Sequence, residues 1–133
     1  MSNLDEEYCA LYLVSADDEG PCKIGIAGDP ERRLRLLQTG HYERFKFHSI
    51  FWIRNRHLAR YAERMILKRF SRFRMEGEWL DYPTWHLGGD LPQLVPFFIS
   101  NENIVSSVCY GPIDPPYEAA STSESLPREL ASP

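Results

Sequence analysis

The sequence predicts an α+β fold, in which a small central three-stranded antiparallel sheet is flanked by helices. Two short apolar segments lie on either side of a turn that contains Gly and Pro, and a third segment alternates in polarity as a half-buried strand does. Helix-capping residues follow the second and the third of these segments. The 133 residues are enough for one domain with its own core.

The first two segments predict a β-hairpin. Residues 8–15 and 22–27 are apolar and rich in aromatic or β-branched side chains, and residues 17–21 form the turn between them. If the turn is centred on its first two residues, Tyr12 faces Lys23 across the hairpin. A cation beside a phenol favours the phenolate, so this pairing predicts a lowered pKa for Tyr12.

A first helix is predicted to begin after Asp29 and to end near Thr39. Asp is a good N-cap, and the Pro that follows it is pre-set for the first helical position. Helical spacing places Arg33 at the edge of an apolar stripe that contains Leu36 and Leu37.

Residues 44–53 predict the third strand, with Phe45, Phe47, Ser49 and Phe51 on one face. Lys46, His48, Ile50 and Trp52 would then lie on the other face.

A long second helix is predicted over about residues 56–73, with Asn55 as its cap. Its apolar arc consists of Ala59, Ala62, Ile66, Phe70 and Phe73. Glu63 lies inside this arc. Because burial disfavours a charged carboxylate, Glu63 must be paired, bind a cation or stay protonated. One interpretation is a buried Glu–Arg pair that only holds the fold, and the other is a metal ligand or an acid/base group.

The segment after this helix, residues 77–81, predicts a turn and a short extended piece. Within it, Trp79 is interpreted as a packing residue. Glu78 is either a solvated turn residue or a second acidic group near the site.

The last two predicted elements are a helix and a short strand. The helix covers residues 91–100, with Asp90 marking its start, and the strand covers residues 104–110. From position 111 onward, Pro, Ser, Ala and Glu dominate without periodicity, which predicts a disordered tail over residues 111–133.

Basic residues are concentrated in one part of the chain. Fourteen of the fifteen Lys and Arg lie in residues 23–79 beside six acidic residues, a net charge of +8 in a chain whose net charge is −4. Such a block is a candidate polyphosphate-binding surface, because phosphate contacts release counterions. The alternative is a helix with a solvated charged face.

Several other classes of protein are not expected from the composition. No apolar run approaches the roughly 20 residues of a membrane span, and the N-terminus lacks the pattern of a signal peptide. The three cysteines are widely spaced without a C-x-x-C pair, and the four His are scattered, so no zinc site is expected. These features favour reduced thiols and a cytoplasmic location.

The order of elements and four short motifs resemble those of the GIY-YIG nuclease superfamily. Residues 10–12 (Ala-Leu-Tyr) correspond to the first motif, and residues 23–25 (Lys-Ile-Gly) to the second, with ten residues between them. Arg33 stands at the position of the family's catalytic Arg, and Glu63 at that of its metal-binding Glu. The resemblance covers roughly residues 8–82.

Within the superfamily the chain looks closest to the phage- and bacteria-associated branch. That branch has a Lys-Ile-Gly second motif and a Gly-Glu-Trp stretch after the second helix, here residues 77–79. The chain departs from the superfamily's motifs at three positions. Ala10 and Leu11 replace the first two residues of the first motif. Lys23 replaces the second Tyr, as is usual in the branch. The late Asn of many superfamily members has no clear counterpart.

The resemblance implies a metal-dependent endonuclease that hydrolyses phosphodiester bonds, with DNA as the expected substrate. It implies that Tyr12, opposite Lys23, orients or deprotonates the attacking water, with either Tyr12 or Lys23 as the base near neutral pH. It also implies that Arg33 pairs with a phosphate oxygen. Glu63 would hold one Mg²⁺, a hard cation that prefers oxygen ligands. Gly25 would let the backbone pass close to the phosphate.

Further basic residues are candidates for non-specific contacts with the nucleic acid backbone. They are Arg32, Arg35, Arg56, Arg60, Arg64 and Lys68. They show no base-reading pattern, so a protein partner could supply specificity. The expected organisation is an acidic lead-in at residues 1–7, a GIY-YIG-like domain at 8–82, an extension at 83–110 that packs on it, and the tail at 111–133.

Two other functions remain open on the sequence alone. One is a non-catalytic nucleic-acid-binding module of the same fold, favoured by Lys23 and by the missing Asn. The other is a phage or defence protein-interaction factor whose acidic ends mimic DNA.

Overall fold

The computed structural model describes residues 8–110, so the predicted lead-in and tail lie outside the described residues. The strands are β1 (Tyr8–Ser15), β2 (Cys22–Ala27), β3 (Lys46–Arg54), β4 (Trp79–Leu80) and β5 (Ile104–Cys109). The helices are α1 (Pro30–Gln38), α2 (Arg56–Arg69) and α3 (Thr84–Phe98), with short 3₁₀ segments at Ser71–Phe73 and Asn101–Asn103. The predicted α+β class is confirmed.

The sheet has five strands, so the prediction of three was wrong. Its order is β4-β2-β1-β3-β5, and every neighbouring pair is antiparallel. The three predicted strands form the centre, and the outer two pair with the open backbone groups at its edges. Sequence patterns did not place these two in the sheet because β4 has only two residues, and five of the six residues of β5 are exposed.

The register of the hairpin also differs from the prediction. Tyr12 lies opposite Gly25, and Lys23 lies opposite Val14. The reason is that residues 16–21 form a longer connection, whose centre is one residue further along the chain. A slip of two residues leaves each side chain on its expected face, because side chains alternate with a period of two.

The predicted alternation along β3 is broken by a bulge. Phe47 and Ser49 pair with consecutive residues of β1, and His48 between them is skipped. A bulge moves the residues before it to the other face of the sheet. Phe47 therefore packs in the same cluster as Ile50, and not in the cluster of Phe51 as predicted.

The sheet is covered differently on its two faces. On one face, β1 packs against α2 and α3 in a cluster that includes Leu11, Ala62 and Leu91. On the other face, Tyr12 belongs to a smaller cluster that α1 covers with Leu34 and Leu37. The predicted stripe of α1 was therefore wrong in one position, since Leu36 is 54% exposed, and Arg33 is exposed as well.

Two of the three predicted helix caps are present. The side chain of Asp29 accepts a hydrogen bond from the backbone N–H of Arg32 at 3.1 Å, and the side chain of Asn55 accepts one from Leu58 at 2.9 Å. Each satisfies a backbone donor that the first turn leaves without an intrahelical partner. The helix after Asn55 ends at Arg69, before the predicted end, and a 3₁₀ turn follows.

Helix α3 begins at Thr84, not at residue 91 as predicted, and it ends at Phe98. Asp90 is therefore inside the helix and does not cap it. Two glycines and two prolines obscured the pattern, because such residues usually interrupt helices. Tertiary packing dominates here, through buried residues at four-residue spacing: Leu87, Leu91 and Val95.

Two further findings concern the described residues. The three cysteines are free, and Cys9 and Cys22 are buried while Cys109 is exposed. None of the helices within residues 8–110 combines the length and the apolar character that crossing a membrane requires.

Candidate active site

Tyr12 is the centre of the candidate site and lies in the middle of the sheet. Its side chain is 1% exposed, and its ring lies over Gly25 on β2. A Cβ atom on residue 25 would lie 2.6 Å from Cζ of Tyr12 and 3.1 Å from Cε1. Glycine is therefore required at this position to make room for the phenol ring.

The pKa of Tyr12 is raised, and the predicted lowering by Lys23 was wrong. Burial is the main cause, because it disfavours the phenolate. A hydrogen bond from Arg33 and the positive charge of Arg33 act in the opposite direction, while the charges of Glu78 and Glu63 raise the pKa further. The two predicted catalytic groups Tyr12 and Arg33 thus meet in the structure.

Lys23 is held by an acidic partner. Its Nζ donates a hydrogen bond to Oε1 of Glu78 at 3.0 Å, with the Lys side chain 8% and the Glu side chain 44% exposed. The pairing of β2 with β4 sets Lys23 opposite Trp79, which brings the preceding Glu78 within reach. Of the two interpretations of Glu78, the structure supports the acidic group near the site.

Glu63 is half-buried at the margin of the buried face of α2. Its pKa is raised, first by burial and then by the charge of Glu78, against the lowering charges of Arg60, Lys23 and Arg64. Glu63 forms no ion pair within 4.0 Å in residues 8–110, so the structure does not contain the buried Glu–Arg pair that was the alternative interpretation.

The acidic groups of the site fit a hard divalent cation. Glu63 and Glu78 offer carboxylate oxygens, and their mutual repulsion raises the pKa of Glu63. Mg²⁺ is commonly held by one or two carboxylates together with waters and phosphates of the substrate. No cluster of three or more His, Cys, Asp or Glu suited to a metal occurs in the described part of the chain, which argues against a cage made of protein ligands alone.

The six predicted backbone-contacting residues are all exposed on the two helices that supply Arg33 and Glu63. Arg32 and Arg35 lie on α1, and Arg56, Arg60, Arg64 and Lys68 lie on α2. The charges of Arg60 and Arg64 reach Glu63, as described above. Their exposure makes all six side chains accessible to a ligand in solution.

Sequence reasoning missed a pocket next to these residues. Trp79, interpreted as a packing residue, forms part of its wall, and the ring centroids of Trp79 and Phe45 lie 5.3 Å apart. His41 and Met75 also line it. The residues of the pocket come from three segments far apart in the chain, so no local pattern could have indicated it.

Comparison with known proteins identifies the family. A model described as T5orf172 domain matches residues 9–86, which include Tyr12, Lys23, Arg33 and Glu63. This domain is related to GIY-YIG and nuclease-like folds and suggests a nucleic-acid-related module. No curated protein and no solved structure matches the chain. Because the matched residues make up more than half of its length, the chain belongs to the T5orf172 domain family.

Proposed function

We propose that the protein is a metal-dependent endonuclease of GIY-YIG type that hydrolyses phosphodiester bonds, with DNA as its expected substrate. The observation that supports this proposal is that the fold brings Arg33, Glu63 and Glu78 close enough to Tyr12 for their charges to act on the pKa of its phenol. These four side chains come from separate elements, and exposed basic side chains lie on both neighbouring helices. A T5orf172 domain agrees with such a function.

Arg33 is proposed to bind a non-bridging oxygen of the scissile phosphate. Its side chain is exposed, so it is accessible to substrate, and a guanidinium matches phosphate geometry with two parallel hydrogen bonds. It would stabilise the negative charge that grows on the phosphate as the bond to water forms.

Tyr12 is proposed to orient the attacking water. Because its raised pKa keeps the phenol protonated near neutral pH, the hydroxyl is a hydrogen-bonding group there and not a ready base. Lys23, in its ion pair with Glu78, would hold that carboxylate in place on the same side of the sheet.

Glu63 is proposed to hold one Mg²⁺, with Glu78 as its neighbour. When bound, the cation would supply charge neutralisation at the phosphate oxygens. It would also relieve the repulsion between the two carboxylates, which explains why a carboxylate is retained on the margin of an apolar helix face.

Nicking of a supercoiled plasmid by purified protein with Mg²⁺ tests the proposal. Glu63→Gln should lower the nicking rate at least about 100-fold. The matched control is Glu102→Gln, the same change at an exposed position in the 3₁₀ segment before β5, which should leave the rate unchanged. Equal nicking by wild type and Glu63→Gln would contradict the assigned role.

A non-catalytic nucleic-acid-binding module is the second candidate. It is favoured by the burial of Tyr12 and by the ion pair that engages Lys23. On this alternative, DNA binding would depend on salt but would be indifferent to Mg²⁺ and to Glu63→Gln, and no nicking would occur.

A further inference from the structure

A pocket of about 200 Å³ lies next to the candidate active site. One wall is Trp79, which follows Glu78 and pairs with Lys23 across β4 and β2. The other walls come from the β1–β2 loop, which includes Asp17, and from the loop between α1 and β3, which includes His41. The pocket and the Lys23–Glu78 ion pair therefore share one edge of the sheet.

The α1–β3 wall is fixed by one side-chain amide. Nε2 of Gln38 donates to the backbone carbonyls of His41 at 3.2 Å and Glu43 at 2.5 Å. Oε1 of Gln38 accepts from the backbone N–H of Phe45 at 2.9 Å. These three bonds hold the loop in place before any ligand is present, which lowers the entropic cost of binding.

The other two walls are also held by hydrogen bonds. The backbone N–H of Gly20 donates to Oδ1 of Asp17 at 2.6 Å, and Oγ1 of Thr84 donates to the carbonyl of Gly20 at 3.0 Å. The backbone N–H of Met75 donates to the carbonyl of Trp79 at 2.8 Å. All three segments are therefore shaped by the fold itself.

The residues that line the pocket favour a flat, uncharged ligand. Phe45 and Trp79 lie with ring centroids 5.3 Å apart, and His41 lies 5.1 Å from Phe45, so aromatic surface dominates one side. Of the described residues that line the pocket, Asp17 and Glu43 carry negative charge, and no Lys or Arg is among them. Two carboxylates repel a phosphate, but they accept hydrogen bonds from amino groups.

We propose that this pocket binds one unpaired nucleobase of the substrate, next to the phosphate held at the candidate active site. This proposal rests on the proposed function. It narrows the substrate of the endonuclease to a single strand or to a duplex with an extruded nucleotide. Aromatic side chains stack on bases that have left the helix, and a base inside a duplex cannot present its face in this way. The carboxylates can accept hydrogen bonds from the exocyclic amino groups of adenine, cytosine and guanine.

Binding without divalent metal tests this proposal separately from cleavage. Fluorescence anisotropy in EDTA would compare a labelled single-stranded oligonucleotide with one of equal length and charge whose central nucleotides are abasic. We expect the abasic oligonucleotide to bind about tenfold more weakly to wild type. Trp79→Leu and Met75→Ala should abolish this difference, and the second variant changes an exposed side chain that is 47% accessible and carries little folding risk.

The matched control is Tyr42→Ala, because Tyr42 is 97% exposed on the same loop as His41 and does not line the pocket. This variant should still bind the abasic oligonucleotide about tenfold more weakly than the intact one. Equal affinity of wild type for both oligonucleotides would overturn the base subsite, even if nicking of plasmid persists. Binding of neither oligonucleotide would overturn the subsite together with the proposed nucleic-acid function.

Discussion

At the scale of single residues, Gly25 and Tyr12 depend on each other. Replacing Gly25 by Ala would put a methyl group 2.6 Å from Cζ of a rigid, buried ring. We expect a loss of about 1–3 kcal/mol in the free energy of unfolding, as for other overpacked sites. Gly89→Ala is the control, since nothing lies within 4 Å of the added Cβ and Ala is a better helix former than Gly. Urea unfolding would measure both, and an equal effect of the two changes would contradict the steric explanation.

Arg33 can be tested by a change that keeps its charge. Arg33→Lys removes the planar fork, so we expect plasmid nicking to slow by at least about tenfold with little effect on DNA binding. Arg32→Lys, on the next exposed position of α1, should nick as wild type does. If both variants nick equally fast, charge alone accounts for the role of Arg33.

The helices that carry Arg33 and Glu63 could be predicted from sequence, because the caps Asp29 and Asn55 indicate locally where α1 and α2 begin. The ion pair of Lys23 with Glu78 could not, since its members are 55 residues apart and meet only through the pairing of β2 with β4. The phenol of Tyr12 was assigned the wrong pKa direction for the same reason. Its neighbours across the hairpin depend on the register, and its burial depends on the packing of α1 over the sheet, and no local pattern fixes either.

At the scale of secondary-structure elements, caps were predictable and registers were not. Asp29 and Asn55 act within their own first helical turns, so the sequence alone indicates them. The β1–β2 register depends instead on a loop that Thr84 holds from the start of α3. The start of α3 itself was obscured by glycines, of which Gly88 is buried against the ring of His48.

This contact between β3 and α3 predicts a dependence of stability on pH. Burial lowers the pKa of His48 from 6.5 to about 4, so the unfolded chain binds a proton in this range that the folded chain does not. The free energy of unfolding should therefore fall by up to about 3 kcal/mol as the pH drops from 6.5 to 4. His48→Gln should remove this part of the dependence in urea melts. The control is His57→Gln, at an exposed position of α2, which should keep the wild-type dependence of stability on pH. The prediction would be refuted if the free energy of unfolding of His48→Gln changed with pH as that of wild type does.

At the scale of the whole molecule, charge is separated along the chain, and this feature needed no structure to be seen. Residues 23–79 carry a net charge of +8 although the chain as a whole carries −4. The fold brings Arg60 and Arg64 of α2 near Glu63, and Lys23 of β2 against Glu78. A nucleic acid would therefore meet positive charge on the helices, and the carboxylates of Glu63 and Glu78 where a cation is proposed to bind.

The basic helices predict how binding depends on salt. If Arg60 and Arg64 each contact a phosphate, replacing either by Gln should reduce the slope of log K against log salt concentration by about 1, because one fewer counterion is released. Arg128→Gln is the control of equal charge change, since Arg128 is the one Lys or Arg outside residues 23–79. Titrations of labelled DNA at several salt concentrations, without divalent metal, would give the slopes. If the slope falls equally in all three variants, net charge governs binding. If the slope falls only in the two α2 variants, the DNA contacts this helix.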